Sequence, residues 1–576
     1  MLPNGHAVNA ATIVRQRQVE ATSEPAAATP PDLTFWLHGA LSLAAVIGLV
    51  VNTRVHWTEQ ALVRPGLAVV ITLCYGVMLV AAILALCVRT TRALARVDIA
   101  VLATAVVIKA VALWPAIIGA KKIRVDEGVL MDRATRALAD GRNPYLASWP
   151  DIDPAAATRL MNGGVAHDFG YPPFGIELGA AVQWFGDAYV GIVVVATVAL
   201  LATAVLVFFM APVPLRPLAT VGILGTGMLT AYAENAYPSL IALPLLCLAV
   251  WRWPSIGRGG RLGAGGVLRA TAIGLAVCTH QLGWFLSVFL LVGLALLRRG
   301  ELSGRATALV LARYVGVAAG VALLVNLPFL ITSPVAWLHG ITEPLTQHAV
   351  PHGQGIMAVS YHLVRGSGAL DFYGHAAIAL LLALLVAFAL HLPLLGRALV
   401  VLPWLVFFVA LRSQDGYWVL TMPLWVVGMV STTRDDFAGA YRIPRLRLGA
   451  AATAALFLPV TACVAVAMVT PQPLDLRVTT PVRGGTAVPQ LVVEVTNRSS
   501  RPLTPHFTVT TGVYLGQFWA VAAGPVTLAA GAAATYTLVP PATAGQRVWK
   551  PAATDTALLR AVSDRPQTLS SRQILG

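Results

Sequence analysis

Apolar runs long enough to cross a bilayer recur from Phe35 to about Val469, and that repetition constrains the fold more than any other feature. About 20 helical residues cross a hydrocarbon layer of about 30 Å, and lipid leaves backbone N–H and C=O groups unsatisfied, so each run must close its hydrogen bonds within itself. A membrane barrel would need short alternating segments, which these runs lack. Composition agrees: of 576 residues, 57% are hydrophobic and 11% charged, and the mean hydropathy is +0.74, outside the soluble globular range. The chain reads as a polytopic α-helical membrane protein.

Hydrophobic length predicts about thirteen spans, at 35–52, 66–88, 98–118, 188–210, 217–232, 238–251, 267–281, 283–298, 306–331, 374–392, 397–411, 417–432 and 449–470. Arginines follow the even-numbered runs: Arg89, Arg92 and Arg96; Arg216; Arg252, Arg258 and Arg261; Arg298, Arg299 and Arg305; Arg434, Arg442, Arg445 and Arg447. The positive-inside rule places those loops in the cytoplasm. The formal charge of +15 is therefore a topology signal, and because the arginines form no single basic face, no nucleic-acid partner is expected. Cys74, Cys87, Cys247, Cys278 and Cys463 lie in apolar runs without CxxC or metal-ligand spacing, so neither a disulfide framework nor a zinc site is expected. Residues 1–31, rich in Ala, Thr, Pro and Gln, lack an apolar core and cleavage site and read as a disordered cytoplasmic tail.

The same alternation divides the remainder into a transmembrane core, 32–470, with outer loops at 119–187 and 333–373, and an extracytoplasmic segment at 471–576. That last segment alternates apolar and polar residues in LVVEVTN, HFTVTTGVYL and TYTLV, with turn clusters at Asn497-Arg498-Ser499-Ser500 and Ala530-Gly531. It reads as a small β-sandwich anchored by Phe518, Trp519 and Trp549. Lys121, Lys122 and Arg124 break the charge rule at an outer exit; either a misassigned topology or an anionic group at the outer membrane surface would explain them.

Between two apolar runs lies a polar island, Arg124 to Pro173, opening on Asp126-Glu127. A carboxylate at the outer interface is partly desolvated, which raises its pKa toward values useful to a general base. Asp and Glu also favour first helical turns through the helix dipole, so this spacing alone fits either reading. An amphipathic stretch from Val129 to Leu138 follows, then Gly141-Arg142-Asn143-Pro144-Tyr145, then Tyr171-Pro172-Pro173-Phe174 and a second amphipathic stretch ending at Gly186-Asp187.

In this order of motifs the chain resembles the C-type (GT-C) membrane glycosyltransferases, closest to the actinobacterial polyprenyl-phosphate-mannose-dependent mannosyltransferase branch. The likeness covers about 120–187 well and 187–432 more weakly; the family's Gly-Gln-Asn element is replaced by Glu234-Asn235-Ala236-Tyr237-Pro238. The resemblance implies an inverting transferase that moves one sugar, mannose or arabinofuranose, from a polyprenyl-phosphate donor to an envelope glycolipid or glycan outside the cytoplasm. It places Asp126 at the catalytic-base position, Glu127 as a supporting carboxylate, and Arg412 at the late basic position directed at the phosphate.

Other candidates come from their settings. Arg124, His348 and His352 join Arg412 as donor-phosphate ligands, the two histidines within the glycine-bearing His348-Ala349-Val350-Pro351-His352-Gly353-Gln354-Gly355; an Arg412–Asp415 ion pair is the local alternative. Asp168, Tyr171, Glu234 and His280 are candidate acceptor-site residues, with turn formation, helix capping and helix-pair hydrogen bonding as alternatives. Asp126 and Glu127 lack the further acidic motifs of metal-dependent relatives, so neither a metal nor another cofactor is expected. The competing class is a polytopic transporter or lipid-linked-sugar flippase, which would show internal repeats, broken helices and span-centre charges.

Overall fold

The computed structural model describes residues 33–153, 156–186, 188–414, 416–443, 449–511, 516–542, 547–552 and 554–575; the predicted N-terminal tail lies outside them. Three long helices open the fold: α1 (Leu33–Ala61), α2 (Pro65–Cys87) and α3 (Thr91–Ile117). Pro65 starts α2 at the position where its missing N–H costs nothing, and Thr90 caps α3 by accepting the Ala93 N–H at 3.2 Å. The polar island supplies two short helices, α4 (Asp126–Ala139) and α5 (Phe174–Gln183), and α6 (Gly191–Met210) re-enters the apolar layer.

Beyond α6 the apolar runs are broken. Helices α7 (Gly227–Glu234) and α8 (Pro238–Val250) meet at 119°, and the segments Leu392–Val400 and Leu402–Val409 meet at 74°. Between them lie α9 (Gly263–Val277), α10 (Leu282–Glu301), α11 (Gly304–Thr332), α12 (Pro334–Thr346) and α13 (Asp371–Leu390), and α14 (Ala451–Val469) closes the layer. Among the described residues eight helices are long and apolar enough to cross a membrane, or ten if each bent pair is one crossing. The expectation of thirteen spans is corrected accordingly. Val213–Leu224, α9 and Gly416–Ser431 are apolar helices of 10–17 residues, short of the length needed. Ala236, at φ 52°, and Pro238 supply the sharpest break, because proline cannot continue a helix begun upstream.

The two ends of the layer differ. At one end the basic loops meet: Arg258 reaches Asp436 at 3.6 Å, and buried Arg298 donates to the Pro254 carbonyl at 2.9 Å. At the other end the two large polar loops zip together, with Val350 N–H on Arg159 C=O and Met161 N–H on His348 C=O, at 2.8 and 2.7 Å.

The C-terminal segment folds as one seven-stranded antiparallel sheet instead of the predicted two-sheet sandwich. Its strands are β1 (Leu474–Val478), β2 (Leu491–Asn497), β3 (His506–Thr511), β4 (Phe518–Ala523), β5 (Ala533–Val539), β6 (Ala557–Ser563) and β7 (Thr568–Leu575), in the order β1-β2-β5-β4-β3-β6-β7. The sheet curls like a barrel, bringing Leu474 N–H at one edge strand to Ser570 Oγ on the other at 3.0 Å. Trp519 is buried in the sheet's core and Trp549 packs edge-on to it, ring centres 5.8 Å apart. Phe518 turns the other way, into a second apolar cluster with Met161, Tyr361, Tyr373, Val562 and Leu569. That cluster joins both polar loops, α13 and the β domain.

Candidate functional site

Helix α4 begins where the chain is pressed against the α7–α8 bend. The Asn235 side chain accepts the Arg124 N–H at 2.9 Å, and a Cβ on Gly128 would overlap the Asn235 carbonyl oxygen. Glycine is therefore required three residues into this acidic stretch. Glu234 binds Lys121 at 2.7 Å, and Lys121 also lies 3.8 Å from Glu59. The segment Glu234 to Pro238 thus supports the start of α4, and Lys121, which breaks the charge rule, has partners within the chain. Asp126 and Glu127 fill the first turn of α4, where the helix dipole favours negative charge.

Both carboxylates face a cavity of about 870 Å³, whose lining also includes Thr158, Asp168, Tyr171, His280, His348 and Arg412. Arg124, His352 and Glu234 are not among its lining residues. Thr158 bridges the acid and the base of the site: its N–H donates to Asp126 Oδ2 at 2.8 Å, and its hydroxyl accepts from Arg412 Nη1 at 3.0 Å. Glu127 accepts from the Tyr171 hydroxyl. Burial, with the neighbouring Asp126 charge, pushes the Glu127 carboxyl up to about 7, while Arg412 and Tyr171 pull the other way.

Tyr171 is itself anchored. The Tyr145 hydroxyl donates to its carbonyl at 2.7 Å, Gln281 Nε2 donates to the preceding Gly170 carbonyl at 2.9 Å, and the Phe174 N–H reaches the Cys278 carbonyl at 2.8 Å. The Asn-Pro-Tyr and Tyr-Pro-Pro elements therefore meet through backbone carbonyls. The His280 ring lies 5.6 Å from the Tyr171 ring, and its Nδ1 accepts the Leu282 N–H at 3.0 Å, which leaves Nε2 carrying the proton.

Arg412 is positioned by the glycine-bearing loop. His352–Gly353 pairs in parallel with Arg412–Ser413, and the Gln354 N–H donates to the Ser413 carbonyl at 2.7 Å. Gly353 has φ +121°, and a Cβ on Gly355 would overlap Phe408 and Ser413, so the two segments can approach only because both positions are glycine. His352 itself is exposed beside this pairing. His348 Nδ1 lies 2.6 Å from Asp564 of the β domain. Asp168 lies 3.0 Å from His167 Nδ1, and burial together with the Asp168 charge raises the carboxyl of nearby Glu343 above its ordinary value. Asp415, the alternative partner of Arg412, lies outside the described residues.

Part of the cavity lining is apolar. Leu282 and Phe285 of α10, Ala377, Ile378 and Leu381 of α13, and Val406 and Phe407 form its wall. Ile378 on this wall is 60% exposed and belongs to a membrane-length helix. Residues missed in the sequence also line the cavity: Thr158, Glu343, Gln347, Asp371, His375 and, from the β domain, Gln567. Their segments carry no motif, and only the folding of three distant loops onto one another brings them together. Among the described residues no three His, Cys, Asp or Glu side chains are grouped to hold a metal ion. No protein-family model matches the chain, and no curated protein or solved structure matches it significantly.

Proposed function

We propose that this chain is an inverting glycosyltransferase of the C-type class, transferring one sugar from a polyprenyl-phosphate donor to an extracytoplasmic glycolipid or glycan. The observation that carries the reading is the mixed lining of the cavity. A carboxylate pair and a guanidinium held by Thr158 share it with an apolar wall from membrane-length helices. A sugar phosphate on a prenyl tail has this polarity: the tail lies against α10 and α13, and the phosphate is drawn to Arg412. In the proposed step the acceptor hydroxyl oxygen attacks the anomeric carbon and the carbon–oxygen bond to phosphate breaks. Polyprenyl phosphate departs with the bonding electrons, and the hydroxyl proton passes to Asp126. Arg412 stabilises the departing phosphate, and the negative charge of ionised Glu127 stabilises the oxocarbenium-like centre. Displacement from the face opposite the phosphate inverts the anomeric carbon.

With the loop of α4 and the β domain on the outer face, the basic loops at the opposite end face the cytoplasm, in keeping with the positive-inside rule. Two observations favour transport instead: two helix pairs are broken, at 119° and 74°, and charge is buried in the first three helices. His38 lies 2.5 Å from Asp98, and Lys109 is fully buried, as in many transporters. None of these groups lines the cavity. Purified protein given radiolabelled polyprenyl-phosphate mannose or arabinofuranose with a soluble glycoside acceptor decides between the readings. Glycosyl transfer abolished by Asp126→Ala supports the enzyme; sugar-lipid movement across vesicles without product supports transport.

A further inference from the structure

His280 stands between α9 and α10, is only 8% exposed, and lines the cavity. Its two ring nitrogens are differently occupied. Nδ1 accepts the Leu282 N–H at 3.0 Å, so the proton sits on Nε2. That Nε2–H has no partner among the described residues, yet it keeps accessible surface, unlike the sealed and unpaired Nδ1 atoms of His38 and His56. Burial holds the ring neutral, pushing its pKa down to about 3. A donor left unpaired in so buried a ring is completed by water or by a ligand.

Its contacts fix its place along the cavity wall. On one side the Tyr171 ring lies 5.6 Å away, inclined at 30°, and the Tyr171 hydroxyl donates to Glu127. Burial raises the pKa of that hydroxyl and the Arg412 charge opposes the rise, so Arg412 acts on the same ring. On the other side Leu282 and Phe285, three apart on one face of α10, begin the apolar wall. The wall therefore runs from Glu127 through Tyr171 and His280 to Leu282 and Phe285, and an unspent donor stands where carboxylate gives way to hydrocarbon. Helix α10 has membrane length, so its first residues lie at the level of lipid headgroups. The first N–H groups of α10 are already spent: Leu282 on His280 Nδ1, Gly283 on the His280 carbonyl at 3.0 Å and Trp284 on the Gln281 carbonyl at 2.9 Å. What this corner offers a ligand is the imidazole and not the helix end.

A prenyl phosphate carries its phosphate at the junction of hydrocarbon and polar head, and an ionised phosphate oxygen accepts hydrogen bonds without having to donate one. We propose that the His280 Nε2–H binds a phosphate oxygen of the polyprenyl-phosphate donor, as a neutral partner to Arg412. This deepens the transferase reading and rests on it, and it moves His280 from the acceptor side of the site to the donor side.

Two substitutions separate this contact from the ring's bond to Leu282. His280→Asn places an amide oxygen where Nδ1 accepts and removes the Nε2 donor; His280→Gln places an amide nitrogen near Nε2 and removes the Nδ1 acceptor. The assay uses full-length protein in nanodiscs, polyprenyl-phosphate mannose or arabinofuranose as donor and octyl α-mannopyranoside as acceptor. His280→Asn is expected to raise the donor KM about 10- to 100-fold, the loss of one hydrogen bond to a charged group, with acceptor KM and melting temperature unchanged. His280→Gln is expected to keep the donor KM within about 3-fold of wild type and to melt lower, having lost the bond to Leu282. A histidine that serves packing alone predicts the opposite order. A donor KM in His280→Asn at the wild-type value or no worse than in His280→Gln, or an acceptor KM raised equally, overturns the proposal while wild-type transfer leaves the transferase reading standing. If the wild type transfers neither sugar, that reading fails, and binding of polyprenyl phosphate, with polyprenol as the control lacking phosphate, tests His280 alone. Saturable binding that needs the phosphate and weakens more in His280→Asn than in His280→Gln supports the contact. No saturable binding, equal binding of both lipids, or binding in His280→Asn as tight as in the wild type or in His280→Gln overturns it.

Discussion

Buried charge occurs in two places in this molecule, and the two are built differently. In the first three helices His38 and Ser42 converge on Asp98 at 2.5 and 2.6 Å, with exposures of 2% or less, and no cavity residue comes from this cluster. At the cavity Asp126, Glu127 and Arg412 are half-buried and held by one threonine and one tyrosine. Both clusters carry a desolvation cost; only the second also faces open volume. Burial of charge therefore marks helix packing in one region and a candidate site in the other, and the cavity separates them.

The contrast breaks most readily at Arg412. Arg412→Ala is expected to lower kcat/KM by about 10²- to 10³-fold, as for loss of a donor that stabilises developing anionic charge, and Arg412→Lys to recover part of it. A radiolabelled transfer assay measures both. Asp98→Ala should act on stability alone, by about 3–5 kcal/mol for a buried pair broken on one side, with turnover per folded molecule retained; thermal melting in detergent beside the assay checks this. Thr158→Val removes the hydroxyl that holds Arg412 but keeps the N–H to Asp126, so a loss of about 10-fold is expected, appearing in donor KM as the guanidinium loosens.

The pH dependence sharpens the same comparison. Glu127 titrates near 7 in the fold against an ordinary 4.5. Below 4.5 it is protonated folded or unfolded and costs nothing. As pH rises from 4.5 through about 7 the unfolded chain releases the proton first, so stability falls across that window. Glu127→Gln should flatten that fall in melting temperature. Activity runs the other way: kcat/KM of the wild type should rise through a pKa near 7 as Glu127 ionises. Tyr171→Phe has the smallest expected effect, an alkaline displacement of that limb, since the ionised Glu127 loses a hydrogen-bond donor.

Much of the site was visible as residue types in order. Asp126-Glu127 before an amphipathic stretch, Tyr171-Pro172-Pro173 and the glycine-bearing loop beside Arg412 each carry a local signal, because helix starts, proline turns and paired glycines are local chemistry. Strands β2, β3 and β5 were likewise legible from their alternation. Thr158, Gln347 and Gln567 carry none; they reach the cavity through contacts between loops far apart in sequence. The span count failed for a related reason. Hydropathy registers an apolar run but neither the bend at Ala236 and Pro238, so one bent helix pair reads as two crossings, nor the short helical length of Gly263–Val277 and Gly416–Ser431. Likewise, alternation predicts strands without saying whether they form two sheets or one curled sheet.

The central claim is that Asp126, and not the buried charge of the first helices, carries the chemistry. Asp126→Ala and Asp98→Ala, purified side by side and normalised to folded protein, should be assayed for transfer of labelled sugar from polyprenyl phosphate. The account predicts that the first loses about 10²- to 10⁴-fold in rate with an unaltered melting temperature, while the second retains wild-type turnover. Full transfer by Asp126→Ala, or transfer lost only in Asp98→Ala, would contradict it.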